Sequence, residues 1–235
     1  MAFAPTPKEF DLNPILIAWV VSLLVSISRP GAPIFYPDAK ETEAETQARY
    51  ALIAQDVLKV TQDPQEDPLF EGPTARVKTA AVILSVAAFE SHFRKDVDLG
   101  LGKYSRGDSG RSWCLNQINL GVAGPEGKTF GRFVPMANGS FRITYNEGYV
   151  GWGGEDLVAD RTKCFRAALA IARRSFKCGG PALTRLKWYA SGRCELGDRA
   201  SSDRMGLALR WISKIPADLE VSSTSVDNPL KFSGL

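Results

Sequence analysis

Apolar positions recur at helical spacing from residue 42 onward. Tyr50, Ile53, Ala54, Val57 and Leu58 fall on one helical face, and Thr42 with Glu45 three residues later makes a capping box. The pattern predicts a helix, and the start of the folded domain, at about Thr42. A polar loop with three prolines, residues 61–73, comes next. A second helix is predicted from about Thr74, with Val77, Ala81, Leu84 and Ala88 as its stripe, running into AAFESHF at 87–93. Glycines mixed with Ser, Arg and Asp over 100–110 predict a mobile surface loop. Asn138-Gly139, set between two strand-forming runs in FVPMANGSFRITY, predicts a hairpin; the turn alone accounts for the Asn138-Gly139-Ser140 glycosylation sequon. Asp160 is placed to cap a strong helix with Phe165, Leu169, Ala172 and Phe176 on one face. Shorter helices are predicted near 181–190 and 203–213, and no periodicity follows Pro216. The expected class is α+β, mainly α, with one small β-hairpin.

Before residue 42 the pattern changes. Residues 1–41 carry six prolines around a single apolar block, 15–27, and read as an N-terminal arm; 42–215 form the domain and 216–235 a polar tail. The block is shorter than the ~20 residues a spanning helix needs. Lys8 is balanced by Glu9 and Asp11, so the positive segment of a signal peptide is missing. The expectation is a buried or interface helix, with a signal or membrane contact through 15–27 as the lesser alternative.

Composition narrows the class. With 44% hydrophobic and 23% charged residues the chain suits a globular protein with a real core. A net charge of +3, without dense Lys/Arg runs, argues against a nucleic-acid partner. Four cysteines, none in a CxxC pair, with one distant His, do not make a zinc site. They fit two disulfides or four reduced thiols. The preferred bridges are Cys178–Cys194 and Cys114–Cys164, and bridges would place the protein outside the cytosol.

The candidate chemistry centres on Glu90. A carboxylic acid donates a proton near neutral pH only if burial raises its pKa, and Glu90, flanked by Phe89 and Phe93 at the end of an apolar helix, is placed for that. After Glu90-Ser91 come the glycine-rich loop, Leu115-Asn116-Gln117-Ile118-Asn119, and later Tyr189-Ala190-Ser191-Gly192. Over roughly residues 75–195 this order resembles the lysozyme-like lytic transglycosylases, a superfamily shared with the goose-type lysozymes. There a helix ends in Glu-Ser, a loop leads to Gly-Leu-Met-Gln-Ile, and a helix carries Ala-Tyr-Asn-x-Gly. Cys114 and Asn116 replace the Gly and Met of the second motif, and Trp188 and Ser191 replace the Ala and Asn of the last.

The resemblance implies a lysozyme-like fold and a peptidoglycan-cleaving enzyme without metal or cofactor. Glu90 is then the catalytic acid/base, Ser91 its positioning neighbour, Gln117 a substrate-binding amide, and Tyr189 the tyrosine whose hydroxyl lies near the acid. Ser191 would be a substrate contact. Read without the resemblance, Ser91 is a helix C-terminal hydroxyl, Gln117 a surface amide and Tyr189 core packing. The rival within the fold is a hydrolase whose second carboxylate, Asp96, Asp98 or Asp108, aims a water. The rival from another class is an inactive structural or wall-binding protein. His92 is expected to play no catalytic part. Among the aromatics Tyr104, Trp113, Phe130, Tyr145, Tyr149 and Trp152, Tyr149 and Trp152 are the choice for lining a sugar groove. The expected partners are peptidoglycan strands and, through arm and tail, other virion or envelope proteins. A bacteriophage virion is the favoured location, with the bacterial periplasm or secretion as the alternative.

Overall fold

The structure, a computed structural model, describes residues 12–27, 40–120, 132–135, 141–144 and 152–221. Its centre is helix α3 (Ala75–Glu90), in which every residue from Thr79 to Ala88 is buried. A helix apolar on all sides needs neighbours on all sides. They are α2 (Glu43–Thr61), α6 (Arg161–Phe176) and α8 (Asp198–Ile212), the last packing most extensively along it. Two buried hydroxyls within α3 turn back on carbonyls of their own helix, Thr79 to Ala75 at 2.8 Å and Ser85 to Val82 at 2.8 Å, so neither leaves an unpaired donor in the core.

The predicted starts of two helices are present. Thr42 Oγ1 accepts from the Glu45 N–H at 3.2 Å while Glu45 returns a carboxylate to the Thr42 N–H at 2.7 Å, closing the capping box. Asp160 accepts from the Thr162 N–H at 2.9 Å and caps α6. The apolar block of the first forty residues is helix α1 (Pro14–Ile27). Its Leu16, Trp19, Val20, Leu23 and Leu24 are buried in the same core as α2 and α3. The Trp19 indole N–H donates to the Lys214 carbonyl at 3.1 Å, so α1 is also tied to the chain just past α8. Among the described residues no helix is long and apolar enough to cross a membrane.

The proline loop after α2 is held rather than loose. One guanidinium nitrogen of Arg76 reaches the carbonyls of Thr61, Asp63 and Glu66 at 3.0, 2.6 and 3.0 Å, and the buried Glu66 pairs with Arg173 at 2.7 Å. After α3 comes the single turn α4 (Lys95–Asp98), then a small antiparallel pair, β1 (Ser112–Trp113) with β2 (Ile118–Asn119). A second pair, β3 (Arg132–Pro135) with β4 (Phe141–Thr144), brackets the expected hairpin turn, with Pro135 opposite Phe141; Asn138 and Gly139 themselves lie outside the described residues. The whole is mainly helical with small antiparallel pairs, the α+β class expected.

Short elements depart from the periodicity. The helix predicted at 181–190 is a 3-10 turn at Ala182–Thr184 followed by α7 (Lys187–Ser191). Helix α8 starts at Asp198, ahead of the predicted 203, because its first turn, Asp198 to Ser201, has no apolar residue beyond Ala200 to mark it. The short helices α5 (Gly154–Ala159) and α9 (Asp218–Val221) are too brief for a stripe to register. Both preferred disulfides are formed. Cys114–Cys164 joins the β1–β2 turn to α6, and Cys178–Cys194 joins the end of α6 to the loop after α7.

Candidate functional site

Glu90 is the last residue of α3, and the chain turns sharply away behind it. Ser91 caps the helix: its N–H and its hydroxyl both donate to the Ala87 carbonyl at 2.9 Å, and the hydroxyl accepts from the Phe93 N–H at 3.2 Å. His92 and Phe93 then take left-handed backbone, φ 52° and 51°, at a cost of roughly 1 to 2 kcal/mol for each residue with a Cβ. Burying the Phe93 ring, which meets Tyr50 edge to face with centroids 6.2 Å apart, contributes about 2 to 3 kcal/mol and offsets much of that. The outcome is that the Glu90 carboxyl is left partly open, its side chain 22% exposed, at the rim of an apolar interior. His92 points outward and is exposed.

Two charged groups act on Glu90, and Glu90 acts on a third group. Arg204, from α8, places Nη2 2.7 Å from Oε1. Tyr189, from α7, lies near enough for the Glu90 charge to bear on its hydroxyl, which donates to the Asn116 carbonyl at 2.9 Å. Asp108, from the loop before β1, adds a like charge. Burial pushes the Glu90 pKa up, the Arg204 guanidinium pulls it down through charge and hydrogen bond, and Asp108 pushes up again; the net direction is upward. Burial, reinforced by Glu90, holds the Tyr189 phenol well above its ordinary value, so it remains a donor.

The β1–β2 turn that Tyr189 reaches is anchored from two sides. Asn116 is fully buried, and its amide donates to the Ile83 carbonyl of α3 at 3.0 Å while its own carbonyl receives Tyr189. Gln117, at φ 46°, spends both ends of its amide internally: Oε1 accepts from the Gly107 N–H at 2.7 Å, and Nε2 donates to the carbonyls of Cys114 and Ser105 at 3.0 and 3.3 Å. Gln117 is thus half-buried and ties the 100–110 loop to the β1–β2 turn. That loop is correspondingly held in place near Asp108, which accepts from the Ser112 hydroxyl at 2.6 Å and the Asn119 amide at 2.9 Å.

Other expected site residues are occupied elsewhere. Ser91 is buried and serves the turn, the helix-end hydroxyl of the plain sequence reading. Ser191 knots the end of α7, its one hydroxyl proton shared among the Lys187, Arg193 and Leu196 carbonyls at 2.9, 2.9 and 3.2 Å while its oxygen accepts from the Arg193 N–H. Asp96 is paired with Arg94, and Asp98 is buried against Arg161 at 2.6 Å and Arg49 at 3.4 Å. Of the three loop carboxylates only Asp108 acts on Glu90. Trp152, expected at a groove, is instead buried in the core, with the Lys163 ammonium 5.7 Å from its ring centroid. Trp113 lies between the Arg106 guanidinium, 3.7 Å from its ring centroid, and Gly154, where a Cβ would strike the indole. Tyr104 is exposed. Tyr149, Phe130 and Tyr145 lie outside the described residues.

Arg204 is the residue that sequence reasoning missed. It borders the buried stripe Ser201, Met205, Ala208 and Trp211 of α8, as many surface arginines border such stripes, and nothing local points to a carboxylate 114 positions away. No family model matches the chain, and no curated protein or solved structure matches it significantly.

Proposed function

We propose that the protein is a lysozyme-like lytic transglycosylase that cuts the β-1,4 bond between N-acetylmuramic acid and N-acetylglucosamine, with Glu90 as its single acid/base. The observation that carries the reading is the Glu90 carboxyl, partly open at the end of an enclosed helix and pushed upward in pKa by burial. Protonated Glu90 donates to the glycosidic oxygen as an oxocarbenium-like centre develops. The substrate's own N-acetyl carbonyl shelters that centre. Glu90, now ionised, takes a proton from the C6 hydroxyl, which closes the 1,6-anhydro ring. Tyr189 supports the site from the side, as a protonated phenol fixed to Asn116.

A hydrolase of the same fold is the second reading, favoured by one observation: Asp108 is ionised and near enough to act on Glu90. It would aim a water in place of the C6 hydroxyl. The two disulfides support work in an oxidising, extracytoplasmic setting. Attachment to a phage particle rests on the sequence alone.

Mass spectrometry of fragments released from purified peptidoglycan by the protein and by Glu90→Gln tests this. Anhydro ends made only by the unmodified protein are expected. Reducing ends move the assignment to the hydrolase and Asp108, and no release by either variant leaves a structural or wall-binding protein.

A further inference from the structure

We propose that Arg204 receives a carboxylate of the glycan, and that this engagement releases Glu90 for its chemistry; the proposal rests on the reading of Glu90 given above. The pair between the two is incomplete. A guanidinium meets a carboxylate best through a two-pronged fork, yet Arg204 offers Glu90 only Nη2, at 2.7 Å to Oε1, while Nη1 donates to the Ala200 carbonyl at 2.8 Å. Its Nε–H is buried and has no acceptor. The Nε–Nη2 edge is therefore half filled, a slot shaped for a second carboxylate oxygen. Because the Nε–H is closed to water, a ligand reaches it only by moving the pair apart.

The surroundings favour such a move. Arg204 and Glu90 are 13% and 22% exposed, so the pair lies at the rim and not in the core. The guanidinium already leans over Phe89, 5.6 Å from the ring centroid, and Phe89 is itself exposed, which gives the cation a face to rest on once Glu90 has left. The charged groups acting on Glu90 are Arg204 from α8 and Asp108 from the loop before β1, and the neutral Tyr189 phenol of α7 lies within reach of its charge. Among them Arg204 alone stabilises the ionised form. Take it away, and burial and Asp108 both drive the carboxyl to hold its proton, the form the first step requires. The substrate class follows: a glycan bearing carboxylates, such as lactyl or peptide-stem groups, competes for Arg204, whereas a neutral N-acetylglucosamine polymer does not.

The test is a carboxyl carbon-13 NMR titration of Glu90 in the full chain, its signal assigned by its loss in Glu90→Gln. The protein is titrated alone, with a neutral N-acetylglucosamine oligomer, and with an equally long oligomer carrying the lactyl carboxylate. In the unmodified protein the anionic oligomer should raise the Glu90 midpoint by on the order of one pH unit, and the neutral one should leave it in place. In Arg204→Gln the midpoint should start high and respond to neither, while Arg204→Lys should keep part of the response. Equal shifts with both oligomers, or a response surviving in Arg204→Gln, overturn the proposal. Because the readout is protonation and not cleavage, a full NMR response beside an absence of released fragments would sink the enzymatic reading alone.

Discussion

The Tyr189 hydroxyl donates to the Asn116 carbonyl at 2.9 Å, and through that bond α7 and the β1–β2 turn are held together beside Glu90. Tyr189→Phe leaves the ring and strands the carbonyl. A lost bond of this kind costs about 1 kcal/mol, which urea denaturation should show as a lower midpoint with an unchanged slope. Wall cleavage should fall as well; a variant with unaltered midpoint and activity would remove Tyr189 from the site.

Gln117→Glu separates two roles. A carboxylate can still accept from Gly107, but its other oxygen would face the Cys114 and Ser105 carbonyls without a proton to offer. The expected loss is about 2 kcal/mol of stability, read by the same denaturation. A side chain that touched only sugar would leave stability unaltered and change substrate affinity.

Asp98 carries its charge in the interior, shared between Arg161 and Arg49. Removing one partner of a buried ion pair costs about 3 kcal/mol or more, so Asp98→Asn should lower the melting temperature strongly. Its specific activity, measured on the fraction still folded, should match that of the unmodified protein. Loss of activity in a fully stable Asp98→Asn would instead mark it as the water-aiming carboxylate.

Asp108 makes a pH prediction with a definite sign. The Ser112 hydroxyl above all, with the Asn119 amide and the Arg111 charge, holds its carboxyl below the ordinary range against an upward push from burial. The stability it adds is thus present above the ordinary Asp value and is lost as pH falls through the lowered one. Glu90 runs the other way: its pKa is raised, so its contribution is full below the ordinary Glu value and is lost as pH rises through the raised one. Asp108→Asn deletes a charge that pushes Glu90 upward. The alkaline limb of the cleavage profile should therefore move to lower pH, and a limb that stays put would show that the two carboxylates do not communicate.

What could be seen in the sequence was what neighbours along the chain decide. The Thr42–Glu45 box, the Asp160 cap and the stripes of α2, α3 and α6 are fixed by residues three or four positions apart, and each lies where its spacing puts it. Glu90 was legible because its apolar surroundings are written in α3 itself. The uses of Gln117, Ser191 and Asp98 were not, because a polar side chain is defined by its partners. The carbonyls that hold Gln117 are recruited by a left-handed turn, and Arg161 lies 63 positions from Asp98. Arg204 was hidden for the same reason. A cap is a local bond, whereas an ion pair between two helices exists only once both are packed.

Helix α6 is bolted at both ends, by Cys164 near its start and Cys178 just past its finish. One bolt runs to the turn holding Asn116, which Tyr189 of α7 reaches, and the other to the loop that follows α7. Reduction would leave α3 and its terminal carboxyl intact while untethering both flanks. A chain with its thiols still free would keep the acid at the end of α3 but lose both covalent ties between its flanks and α6.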